Sequence, residues 1–153
     1  MTTAALEYRL YKGLNSFEPL FYYESIELEQ VLARRECEFF IKEGITYKQT
    51  SSAIEGDTHL IYVKKEEEAE KEKEIFNLNG KLRLEIREFN FRENHPIIKT
   101  FEFDHHIEIL SKVGCVYLYL DNHEWERDSA EIDEDRLVYV LYMTKTGYKL
   151  EGN

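Results

Sequence analysis

SIELEQVLARRECEFFIKEGITYKQTSSAIEGDTHLIYVK, residues 25–64, is the stretch over which helix, turn and strand signals agree for the longest distance. Ser25 is an N-cap residue type, Glu24, Glu27 and Glu29 suit the positive end of a helix dipole, and Arg34 and Arg35 suit its negative end. Leu28, Val31 and Leu32 recur at helical spacing, so an amphipathic helix is expected to end near Arg35. Continuing it would place Cys37 and Phe40 opposite Phe39. From Glu36 the vocabulary becomes that of strands. Glu43-Gly44 predicts a tight reversal between strands 37–42 and 45–51, and Glu55-Gly56-Asp57 a second one before strand 58–64. That last strand is apolar on both faces, Leu60 and Tyr62 against Ile61 and Val63, which places it inside its sheet.

Working outward, Leu6, Tyr8 and Leu10 alternate with Glu7 and Arg9, predicting a strand, and Gly13, Asn15 and Pro19 predict a loop after it. Lys65–Glu74 reads KEEEAEKEKE; with nothing to bury, residues 65–74 are expected as a charged, solvated loop or helix. Asn79-Gly80 predicts a type I′ hairpin. Leu82, Leu84 and Ile86 then alternate until the apolar phase slips to Phe89 and Phe91, which implies a bulge near Arg87 and Glu88. Ile97–Phe103 reads as a strand. Asp104 is a cap for a short helix, His105–Val113, burying Ile107, Leu110 and Val113 and stopping at Gly114. Residues 115–120 read as an apolar strand, Asp121–Asp135 as an acidic loop and Leu137–Met143 as the last strand. No internal repeat at a fixed period stands out. The expected fold is α+β: a dominant antiparallel, curved or rolled β-sheet with two short helices, in a single domain over 1–153.

Composition narrows the function classes. A chain of 153 residues suffices for one domain with a real core and is short for two. Its 31 acidic and 20 basic side chains give a net charge of −11, which repels phosphate backbones and anionic lipid; no basic patch offsets it. No direct nucleic-acid contact and no membrane association are therefore expected. Cys37 and Cys115 are too few for a disulfide framework. The first residues lack a leader pattern and no run of 18 uncharged apolar residues occurs, so a soluble cytoplasmic protein is expected.

Candidate chemistry is sparse. Asp104, His105, His106, Asp121, His123 and Glu124 are of metal-ligating type, and His105, His106, Asp121 and His123 are the set that would hold a divalent transition metal such as zinc, manganese or iron. Adjacent histidines on a helix diverge by about 100°, and no HxxxH or HxH spacing is present. The stretch DNHEWERDSAEIDEDR is rich in oxygen ligands but puts Glu126 where a calcium loop requires glycine. Trp125 stands alone in a charged context, as core packing or as an exposed anchor. Tyr117 and Tyr119 share one strand face and are candidates for ligand contact. No nucleophile elbow, phosphate loop or dinucleotide fingerprint occurs. The expectation is a small interaction or regulatory protein, not an enzyme, that binds a protein partner through an acidic surface. A metal-dependent hydrolase built on the histidines, or a small-ligand binder using the tyrosines, are the alternatives.

Overall fold

The computed structural model describes residues 2–68 and 80–150. Its first element is a long hairpin, where a strand and a loop were expected: β1 (Thr3–Gly13) turns through Leu14 and Asn15 into β2 (Ser16–Glu27). Pro19 lies on β2 at the outer edge of the sheet, where a missing N–H is tolerated. Because Glu27 is paired with Thr3, Ser25 stays in the strand and does not cap a helix. Helix α1 (Leu28–Arg35) begins after it, burying Val31, Ala33 and Arg34. The meander follows as β3 (Phe39–Lys42), β4 (Ile45–Glu55) and β5 (Thr58–Glu68). Glu43 and Gly44 have φ of 52° and 75°, the two positive values a type I′ turn requires. β5 runs through Glu68, so the start of the charged run is strand rather than loop or helix; residues 69–74 and the Asn79 turn lie outside the described residues.

The second half contains β6 (Leu82–Glu88), β7 (Ile97–Phe103), α2 (His106–Val113), β8 (Tyr117–Leu120), β9 (His123–Asp133) and β10 (Val138–Lys149). A register shift falls between Ile86 and Arg87, where the apolar phase slips in sequence. His105, not Asp104, occupies the N-cap position of α2, without a side-chain capping bond, and Ile107 is exposed while Ile109 takes the buried position. The acidic stretch 121–135 is mostly strand: its alternate residues Trp125, Ala130 and Ile132 enter the core.

The strands form one ten-stranded sheet in the order β2-β1-β5-β4-β3-β9-β10-β6-β7, with β8 also beside β9. With 65% strand and 14% helix the molecule is mostly β, and the sheet is mixed, not dominantly antiparallel. β1–β5, β6–β10 and β3–β9 are parallel pairs. Tight turns dictate antiparallel neighbours, whereas these three pairs join strands far apart in sequence and leave no turn signature.

This order exposes an internal repeat. Each half runs hairpin, helix, three-stranded meander, and each returns its last strand parallel to its first. The pairing Leu6↔Tyr23 recurs 78 positions later as Leu84↔Phe101, and Phe39↔Lys48 as Tyr117↔Glu126. Even the bulge at Thr50 in β4 reappears at Asp128 in β9. Side-chain contacts repeat too: Cys37 Sγ donates to Ala33 O as Cys115 Sγ does to Ser111 O. Gln49 Nε2 donates to Arg35 O as Arg127 Nε does to Val113 O. The β4–β5 connection is Gly56-Asp57, whereas the β9–β10 connection is 134–137, two residues longer.

The helices pack on each other and on one face of the sheet, over Leu6, Tyr8, Phe40, Leu84, Ile86 and Leu141. The halves are locked by two arginines. Arg127 of β9 donates Nη1 and Nη2 to both oxygens of Glu38 at 2.6 and 3.1 Å, and Nη2 also to Glu36 O. Arg34 of α1 donates Nη2 to Glu134 Oε1 at 2.5 Å, and Lys42 Nζ reaches Oε2 at 2.6 Å. Arg34 also lies against the ring of Tyr23, 4.8 Å from its centroid. Burial opposes ionisation of Glu134, but Arg34, Lys42 and the Tyr23 hydroxyl overcome it and hold the carboxyl below its usual range. The Arg34 and Glu134 side chains are 5% and 13% exposed, so removing one charge leaves the other stranded. Glu134→Ala is expected to lower stability by about 3 kcal/mol, read from denaturant midpoints, and adding Arg34→Met should recover a large part of the loss.

Candidate binding cleft

On the face of the sheet away from the helices, a cleft of about 470 Å³ crosses the junction between the halves. Alternation along the strands directs Phe39 and Ile41 of β3, Glu131 of β9 and Tyr142 of β10 into it, while their neighbours Phe40, Ala130, Ile132 and Leu141 face the core. Glu67 and Glu68 from the end of β5 stand at its rim. Its size is that of a small-ligand or side-chain pocket.

Glu85 of β6 is 0% exposed beneath this region. Arg87 donates Nε to its Oε1 at 3.0 Å and Arg136 donates Nη2 to its Oε2 at 2.5 Å. Burial raises the Glu85 carboxyl, yet the two guanidinium groups more than reverse this, and it ends below the usual carboxylate range. Arg87 Nη1 also donates to His95 O at 2.8 Å, tying the floor to the loop above it.

That loop, the β6–β7 connection, forms one wall. Asn90 Oδ1 accepts from the N–H groups of Arg92 and Glu93, capping a 3-10 turn at Phe91–Glu93. Asn94 and His95 then take φ of 53° and 51°, and His95 Nδ1 accepts from Asn90 N at 2.9 Å, which leaves the ring proton on Nε2. The result is an aromatic wall: His95 lies 5.3 Å from Phe89, 4.9 Å from Phe91 and 5.2 Å from Tyr142, centroid to centroid. Phe91 is 79% exposed. Burial, with Glu131 beside it, pushes the Tyr142 hydroxyl up, so the phenol stays protonated.

The repeat shows what is special here. The positions of Phe89, His95 and Tyr142 correspond to Tyr11, Phe17 and Tyr62, whose rings make the same contacts, Tyr11–Phe17 at 5.5 Å and Phe17–Tyr62 at 4.6 Å. Glu131 corresponds to Ala53, and Arg136 comes from the lengthened turn. The second half has thus acquired a histidine, a glutamate and an arginine where the first half has apolar or absent side chains.

The residues singled out in the sequence lie elsewhere. Trp125 is 6% exposed in the core, with Lys145 Nζ 5.5 Å from its ring centroid. Tyr117 and Tyr119, at 48% and 46% exposed, are on β8. Tyr119 donates to Glu124 Oε2 at 2.6 Å. They are the repeat counterparts of Phe39 and Ile41, which line the cleft. His105 stands at the N-cap position of α2, and His106 is buried with Nδ1 3.3 Å from Glu27 Oε1. Asp121 sits in the β8–β9 turn and His123 starts β9. Among the described residues no group of three or more His, Cys, Asp or Glu side chains is placed to hold a metal ion. The cleft residues escaped sequence reading because Glu131 lay in an expected acidic loop, Arg136 directly after it and His95 beside a proline. The phase slip toward Phe89 and Phe91 was their one visible signal.

No protein-family model, curated protein or solved structure matches this chain. Among the described residues no helix is long and apolar enough to cross a membrane.

Burial holds the His106 imidazolium pKa below its usual value, with Glu27 only partly opposing. The unfolded chain then binds the proton more readily, so His106 contributes stability that is complete above about pH 6.5 and lost as pH falls below that value. His106→Leu, the residue found at the equivalent position 28, is expected to flatten the loss of stability between about pH 7 and pH 5, measured as urea midpoints at each pH.

Proposed function

We propose that this chain is a small, non-enzymatic interaction protein of the cytoplasm that binds a basic protein partner through its acidic surface, with the cleft as the anchoring point. The supporting observation is the cleft itself: aromatic walls and glutamates at the rim of a chain carrying −11 overall. Aromatic pockets surrounded by charge complementary to the partner are the usual hot spots of interfaces. Two free thiols, one of them exposed, agree with a reducing compartment. Affinity capture from native lysate at about 50 mM salt is expected to recover a basic protein in stoichiometric amount and to release it by about 300 mM. Charge reversal by Glu67→Lys with Glu68→Lys should abolish that capture, while Glu18→Lys, on β2 at the far edge of the sheet, should leave it intact. An acidic partner, no stoichiometric partner, or equal loss in both variants would refute the reading.

A further inference from the structure

We infer that the occupant of the cleft is the guanidinium of an arginine side chain, an inference that rests on the proposed binding of a basic partner and names what enters the pocket. The buried ion pairs decide the sign of the guest's charge. Arg87 and Arg136 are the two arginines lining the cleft, and both hold Glu85, which is wholly enclosed. Arg83 Nε also lies 3.5 Å from Glu85 Oε2, and an anion would have to compete with this enclosed carboxylate for the guanidinium groups already committed to it, weakening a buried ion-pair cluster. It would also approach Glu67, Glu68 and Glu131, three carboxylates of the lining. A cation leaves the Glu85 pairs intact and meets those carboxylates favourably.

The walls decide the guest's shape. Phe89, Phe91, His95 and Tyr142 form a continuous aromatic surface, with the Phe91 ring standing into solvent at the mouth. A ring face attracts a cation, and a planar, weakly hydrated guanidinium stacks on it while its edge donors still reach carboxylates. A compact ammonium gains less from a flat wall and loses more hydration. In the strand order β5, which carries Glu67 and Glu68, and β6, which leads into the Phe91 loop, stand on opposite sides of β4-β3-β9-β10, so the cleft is lined by carboxylates from one side and rings from the other. The equivalent surface of the first half has the rings but Ala53 in place of Glu131, and no counterpart to Arg136, the residue that donates to Glu85 Oε2.

Isotope-labelled protein of residues 1–153 titrated with N-acetyl-arginine methylamide, followed by NMR, tests this. Saturable shifts are expected at Glu67, Glu68, Phe91, Asn94 and His95, with the lysine analogue binding at least about threefold more weakly and the glutamate analogue not saturating. Phe91→Ala, at an exposed position, and the pair Glu67→Gln, Glu68→Gln are each expected to weaken arginine binding about fivefold with the rest of the spectrum unchanged. Absence of saturable shifts, equal or tighter binding of the lysine or glutamate analogue, or indifference to both variants would overturn the inference. Partner capture that survives Phe91→Ala but is lost on Glu67→Lys with Glu68→Lys would overturn it too, while leaving the acidic-surface reading standing.

Discussion

The carboxylate of Glu134 is the point on which the two halves of this molecule close. It takes a guanidinium from α1, an ammonium from β3 and a hydroxyl from β2, all in the first half, while belonging to the turn that ends β9 in the second. Its neighbours extend the grip. Asp135 accepts from the N–H groups of Glu43 and Gly44 at 2.8 and 2.9 Å, fastening the β3–β4 turn, and Arg136 reaches the opposite face to hold Glu85. The parallel contact of β3 with β9 spans just Phe39–Ile41 against Glu131–Asp133. So short a ladder gains little on its own, and the buried charges at its end fix which residues meet.

An internal repeat explains why the halves fit. Each hairpin-helix-meander unit buries one sheet face against its own helix, and α1 and α2 then pack on each other, so one continuous core replaces two small ones of marginal size. Symmetry is broken beside the cleft. β3 is flanked by both β4 and β9, but its counterpart β8 pairs with β9 alone. The cleft accordingly forms on the β3 side, where Phe39 and Ile41 have β9 beside them, and Tyr117 and Tyr119 face solvent instead.

Much of the local structure was legible in the residues: the meander of β3, β4 and β5, the Glu43-Gly44 turn, strand β7 and the bulge after Ile86 all follow from turn chemistry and alternation. What escaped was everything set by distant pairing. Ser25 looks like a cap until β1 claims it for a hairpin, and the 121–135 stretch looks like a solvated loop until neighbours on both sides hold it as a strand. The repeat was hidden because the two halves share register rather than residue identity: Leu6, Glu7, Arg9 and Cys37 find the same residues 78 positions on, but most core positions exchange one apolar or aromatic type for another. A pattern read residue by residue misses a similarity that lives in spacing.

The lengthened β9–β10 turn carries this argument to the cleft. Two added residues gave the second half both its clamp and its floor, since Glu134 and Arg136 point to opposite faces from one connection. Stability and the shape of the cleft are therefore coupled at that turn, and substitutions there disturb both. Across the cleft they separate. Phe91, Glu67 and Glu68 are exposed, bear none of the core and stand at the mouth. A surface ring and two surface carboxylates cost a monomer little to keep and little to lose. Held beside a preformed pocket, they are the groups through which a partner would gain affinity without the fold being altered to receive it.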